Sequence, residues 1–227
     1  MQNMYYSLLK NESGKKATIN IYGDITSWPW LESDVSAYQL SRVIDTLEDS
    51  VEEIEVRINS YGGEVAEGIA IYNALKRHKA KVTTVVDGFA CSIASVIFMA
   101  GDERHMNESS ILMIHDVWTY ISGNAEALRK EADDLDKINE LSVKAYMAYV
   151  NITEDELNQL MDDESFISPE EALEYGFASQ IIKNKAEHVS QSARHIIMQK
   201  LRGEKKQQKK EPKKETEPES FWDKFKN

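Results

Sequence analysis

Cysteine is almost absent from this chain, with Cys91 standing alone among 227 residues. One thiol cannot close an internal disulfide, and the paired cysteines of the common metal sites are missing, so a disulfide scaffold and a cysteine-held metal are both excluded. Long apolar stretches are missing as well. No run reaches the roughly 18 residues that a membrane span needs, and the opening MQNMYYSLLKNESGKK lacks the uninterrupted apolar region of a secretory signal. There is no Gly-x-x-x-x-Gly-Lys-Ser/Thr loop, which excludes ATP hydrolysis by that route. These absences predict a cytoplasmic protein in a reducing compartment, with no membrane partner and no cofactor.

Basic residues are scarce outside one end. The net charge is −12, yet from Lys183 to Asn227 there are 13 Lys/Arg against 7 Asp/Glu, a net of +6. The totals of 27 and 39 leave 14 basic and 32 acidic residues in 1–182, a net of −18. An acidic body argues against nucleic acid as a partner, because phosphates are met mainly by Lys and Arg. The stretch RGEKKQQKKEPKKETEPE has no apolar periodicity and is expected to be disordered. Beyond it, Phe221, Trp222 and Phe225 have helical spacing. They read either as a solvated end or as a short docking motif.

The body alternates strand and helix patterns. ATINIY (17–22), IEVRI (54–58), KVTTVV (81–86) and ILMIH (111–115) read as strands. Helical spacing is found over 33–49 behind a capping Ser33, over about 64–78, and over the small apolar run from Ser92 to Ala100. This alternation, with short Gly-containing turns, predicts an α/β fold with a parallel sheet. Residues 124–150 then form one charged amphipathic pattern that would extend about 40 Å. Such a helix is expected to project and pack on a neighbouring subunit. Thr153-Glu154-Asp155-Glu156 is a capping box, and Ser168-Pro169-Glu170-Glu171 opens another helix with Pro at its first position. There is no internal repeat.

Three places could carry chemistry. Ser92 falls where a strand gives way to an apolar helix, so free N–H groups and the helix dipole would favour a developing negative charge. On local pattern alone it reads more often as a helix cap. Cys91 is a rival nucleophile, although the helix start falls on Ser92 and a small core role suits the cysteine better. His115 closes an apolar strand, whereas His78, His105, His188 and His195 lie at element ends or near the tail. Asn59-Ser60-Tyr61-Gly62-Gly63 follows a strand and could aim backbone N–H groups at an oxyanion, though a tight turn explains it equally well.

Together the pieces say more. Strand–Asn-Ser-x-Gly-Gly–helix, then strand–Gly-x-Ala-x-Ser–apolar helix–Ala-Gly, then Met-Ile-His, resembles the proteolytic subunit of the Clp proteases. The likeness continues through Phe166-Ile167-Ser168-Pro169-Glu170-Glu171-Ala172-Leu173-Glu174-Tyr175-Gly176 and spans roughly residues 17–183 in order. The stretches IYGDITSW, RINSYGG and IAIYNALKRHKAKVT look like the shorter Clp-type proteases of tailed phages and prophages.

The resemblance implies a Clp/crotonase-like α/β fold over residues 17–185, after an N-terminal segment 1–16 and before a basic tail 186–227. It implies a serine endopeptidase with Ser92 as nucleophile and His115 as general base, and an oxyanion hole from the N–H groups of Gly62 and Ile93. The triad acid falls two residues before Phe166, on Glu164, with Asp163 as the runner-up. Expected partners are protein or peptide substrates, such as a capsid or scaffold precursor in phage head maturation inside a bacterial host or lysogen. A homo-oligomeric ring, heptamer or double heptamer, is also implied. Other readings are a degradative Clp-type protease working with an unfoldase, a crotonase-type hydratase, and a catalytically silent assembly ring.

Departures from the pattern are Tyr61 in place of the usual proline and Asp-Val-Trp-Thr-Tyr-Ile-Ser-Gly after His115. The segment before the first strand is also short, which leaves dependence on a partner ATPase open.

Overall fold

A computed structural model describes residues 9–10, 15–47 and 51–183. The N-terminal residues 1–8 and the whole tail, with Phe221, Trp222, Phe225, His188 and His195, lie outside the described residues. In chain order the elements are β1 (Leu9–Lys10), β2 (Lys16–Tyr22), α1 (Ala37–Asp45), β3 (Glu53–Ser60), α2 (Val65–Arg77), β4 (Lys81–Cys91), α3 (Ile93–Phe98) and β5 (Glu103–Asn107). They continue with β6 (Ile111–Met113), α4 (Ala125–Met147), α5 (Glu154–Asp162), β7 (Phe166–Ile167), α6 (Pro169–Tyr175) and β8 (Gln180–Ile182).

The mixed α/β arrangement is the expected one. The sheet runs β1-β2-β3-β4-β5-β8, with β6 beside β4 and β7 beside β6. All pairings are parallel except the short antiparallel additions β1 and β7. Burial along the strands follows from position. In β2 only alternate residues, Ala17, Ile19 and Ile21, are buried, as one covered face requires. In β4 every residue from Val82 to Val86 is buried, because a central parallel strand is covered on both faces.

β4 is also the strand that branches. Its first half, Thr83–Val86, pairs with β5, and its second half, Phe89–Cys91, pairs with β6. On its other side the register against β3 shifts between Ile58 and Ser60, a bulge that accompanies the bend. Helix α3 follows β4 directly and is buried along all six residues. Gly68 of α2 permits this packing, since a Cβ there would lie 2.1 Å from Ile93 Cγ1.

Several boundaries differ from the sequence expectation. The strand expected over 111–115 ends at Met113, so His115 lies two residues beyond it. The first helix begins at Ala37 behind Ser36, whose Oγ accepts the Gln39 N–H at 3.3 Å, and not at Ser33. The residues between are held outside the helix: Asp34 Oδ2 accepts the N–H groups of Trp30 and Leu31, and Val35 N–H donates to Asp24 O at 2.8 Å. The long helix α4 has 23 residues, about 35 Å, and starts behind Asn124. Only Ser142, Ala145 and Tyr146 are buried along it, while Leu128, Ile138 and Leu141 remain exposed. Both expected caps downstream are present, with full capping boxes at Thr153 and Ser168. Among the described residues no helix is long and apolar enough to cross a membrane.

One buried cation ties the far side together. Arg104 Nε donates to Phe177 O at 2.8 Å and Nη1 to Gly101 O at 3.1 Å, and its guanidinium lies 3.8 Å from the Tyr149 ring centroid. Burial depresses its pKa, so the carbonyls and the ring supply what water would otherwise give. Replacing it by Met leaves the Phe177 carbonyl without this donor. Arg104→Met is expected to cost about 2–3 kcal/mol in chemical denaturation, and a loss below a few tenths would show that the contact is not structural.

Candidate active site

The site begins at the ends of two parallel neighbours. In the β4–β6 register Cys91 lies opposite Met113, and Ser92 N–H extends the ladder by donating to Met113 O at 2.9 Å. Ser92 and His115 therefore leave adjacent strands at the same carboxyl edge, where open parallel sheets place their ligands. Ser92 Oγ and His115 Nε2 are 2.8 Å apart.

Ser92 is bent sharply, with φ 55 and ψ −131. That lone positive-φ step between β4 and α3 lets the chain reverse, and it turns the side chain out of the sheet. The side chain makes no capping bond to α3, so the helix-cap reading does not describe what the serine does. Ile93 is the first residue of α3, where an N–H has no intrahelical acceptor. Gly62 lies against this corner with φ 104, and a Cβ on it would come 2.8 Å from both Ser92 Cβ and Cys91 O. Its N–H donates to Ser60 Oγ at 3.1 Å, and that hydroxyl in turn donates to Gly23 O at 2.5 Å. Cys91 is buried beside the serine, and burial pushes its thiol up to about 11. A thiol so placed stays protonated near neutral pH and is a poor nucleophile.

The two acids suggested by the sequence behave differently. Asp163 accepts from Gln159 Nε2 at 3.0 Å, within the end of α5. Glu164 is exposed, with φ 49, in the turn after α5. The antiparallel β6–β7 register pairs Met113 with Phe166, and Ile114 N–H donates to Ser165 O at 3.1 Å. One step further along that register sets Glu164 opposite His115. No hydrogen bond joins either carboxylate to the imidazole in the described structure. The structure thus brings Ser92, His115, Gly62 and Ile93 together around one cleft, and neither carboxylate joins them by a hydrogen bond.

A pair that sequence reasoning missed lies next to the histidine. Asp116 Oδ1 accepts from Asn139 Nδ2 at 2.6 Å, and Val117 N–H donates to Asn139 Oδ1 at 3.3 Å. Burial raises the Asp116 carboxyl above its ordinary range, with the neighbouring Asp162 carboxyl adding to the rise against the Asn139 bond. Position beside His115 was the only signal for Asp116, and nothing in sequence could link it to Asn139, 23 residues away on α4.

The dyad opens into a cleft of about 560 Å³ whose apolar lining includes Val65, Ile93, Val96, Trp118 and Tyr146. The Clp protease family model matches residues 15–185. The chain belongs to the Clp protease family. It is 37% identical over 139 residues to the ATP-dependent Clp protease proteolytic subunit of Deinococcus radiodurans, covering 60% of this chain and 68% of the relative. It is 26% identical over 192 residues to the ATP-dependent Clp protease proteolytic subunit 1 of Borreliella burgdorferi, covering 80% and 98%. The Clp family is one of serine peptidases, and this chain is an enzyme of that type.

In this Clp-family chain the Ser92 corner has a measurable cost, since a non-glycine residue in such a conformation is destabilised by about 1–3 kcal/mol. Glycine adopts it freely. Ser92→Gly is therefore expected to be more stable than Ser92→Ala by about 1 kcal/mol in urea denaturation. Equal stability of the two variants would refute the strain.

Proposed function

We propose that the chain is an endopeptidase working through an acyl-enzyme on Ser92. His115 takes the Ser92 proton as Oγ attacks the peptide carbonyl and returns it to the departing amine. Gly62 and Ile93 N–H groups receive the oxyanion, Gly62 giving up its bond to Ser60 Oγ as substrate enters. Glu164 orients the imidazole, and Asp163 is the alternative acid. The observation that carries this reading is the 2.8 Å approach of Ser92 Oγ and His115 Nε2 along the cleft.

The proposed role is maturation of phage capsid or scaffold proteins, supported by the phage-like stretches IYGDITSW and RINSYGG. A second reading is a degradative protease served by a partner ATPase, favoured by the words "ATP-dependent" in the names of both relatives. In either role we place the chain in a ring of copies. The exposed Leu128, Ile138 and Leu141 of α4 support such packing, because a helix with an uncovered apolar stripe buries it against something.

A fluorophosphonate probe is expected to label the wild-type chain at Ser92 and to leave Ser92→Ala unmarked. Ser92→Ala should lower kcat by about 10⁶-fold, and Glu164→Gln by about 10⁴-fold while Asp163→Asn loses far less. Equal cutting of a cognate capsid precursor by wild type and Ser92→Ala would sink the catalytic assignment. Cutting by the purified chain alone supports the maturation role. Cutting only with a Clp ATPase and ATP supports the degradative one.

A further inference from the structure

A second recess, about 250 Å³, adjoins the reacting pair, lined by Tyr61, Cys91, Ser92, Met113, His115 and Phe166. It shares Tyr61, Ser92 and His115 with the larger cleft, but Gly62, Gly63 and Ile93 line only the larger one, and Cys91, Met113 and Phe166 only the recess. Acyl transfer tells the two apart. The carbonyl oxygen must face the oxyanion donors, and the departing nitrogen must face the imidazole that protonates it. His115 lines both spaces, so the assignment turns on the oxyanion donors: the larger cleft, which alone holds them, is given the acyl side and the recess the leaving side.

We propose that Tyr61, Met113 and Phe166 form the subsite for the residue just after the scissile bond, and that they select a large apolar or aromatic side chain there. The inference rests on the protease reading above. No Asp, Glu, Lys or Arg lines the recess, whereas Asp24 and Glu64 line the larger cleft. The recess walls are held in place by backbone and ring contacts. Phe166 is fixed opposite Met113 by the β6–β7 register, and the Tyr61 ring packs on Phe89 with centroids 5.4 Å apart. Yet Tyr61 is 72% and Phe166 65% exposed. Two aromatic rings held open beside a nucleophile gain most by receiving an apolar group. Their floor, the Cys91 thiol, is neutral and buried.

The step balances without any further reagent. Ser92 Oγ bonds to the carbonyl carbon as its proton passes to His115 Nε2. The C–N bond then breaks, the nitrogen takes that proton, and the released peptide begins with the residue seated between Tyr61 and Phe166. Water, losing a proton to His115, next attacks the Ser92 ester, and the proton returns to Oγ as the acid leaves.

The test uses internally quenched peptides, identical except at the residue after the cut, with the full-length chain. For Phe, Tyr or Leu there, kcat/KM is expected to exceed that for Asp or Lys by about 10- to 200-fold. Tyr61→Ala and Phe166→Ala should each shrink that ratio by about three- to tenfold. Phe166→Asp should raise the relative rate for Lys or Arg at the same position. Fluorophosphonate labelling of Ser92 in each variant reports that the site is still formed. Cleavage by the wild type without preference, or a preference unmoved in the labelled variants, would overturn the inference alone. Neither cleavage nor labelling of the wild type would overturn the protease reading and this inference with it.

Discussion

The hydrogen bond from the Ser92 amide to the Met113 carbonyl, 2.9 Å long, is the constraint on which the site depends. It carries the β4–β6 ladder one residue past the last paired position, Cys91 with Met113. The two chains then part, one bending into α3 and the other running on to His115. Because the ladder holds them together up to that point, the serine and the imidazole emerge within hydrogen-bonding distance. The positive φ of Ser92 is the local cost of that parting, and burial of all of α3 repays it.

Helix α4 reaches behind both reacting residues. Its Tyr146 hydroxyl lies 2.7 Å from Ser95 Oγ, which donates to Ser92 O at 2.5 Å in the first turn of α3. Its Asn139 holds Asp116 and Val117, the two residues after His115. The same helix leaves most of its length uncovered, so an element that supports the site has little packing of its own. Electrostatically the surroundings are acidic, with Asp24 and Glu64 along the cleft and Asp116 beside the histidine.

Much of the architecture was legible in the chain. The strands at 17–22 and 54–58 follow from period-two patterning, that at 81–86 from its β-branched run, and the helix starts at Thr153 and Ser168 from side chains that satisfy their own helix ends. These are local effects, and local sequence carries them. The start of the first helix was misplaced because Asp34 accepts from Trp30 and Leu31 just before it and Val35 donates back to Asp24, bonds that outweigh helical spacing. The short strands β7 and β8 carry too few residues for a period to show.

For the site, local pattern left Ser92 as a helix cap and Gly62-Gly63 as a tight turn, and only the ordered likeness to the Clp proteases singled out Ser92 and His115. The sequence by itself determined which side chains could react and that strands would alternate with helices. Only the tertiary structure decided that β4 bends to pair with β6, that Gly62 abuts Ser92, that Asn139 reaches Asp116, and that two aromatic rings stand open beside the serine. Those facts depend on contacts between residues distant in the chain. Such contacts are set by how whole elements pack and not by the propensity of any one segment.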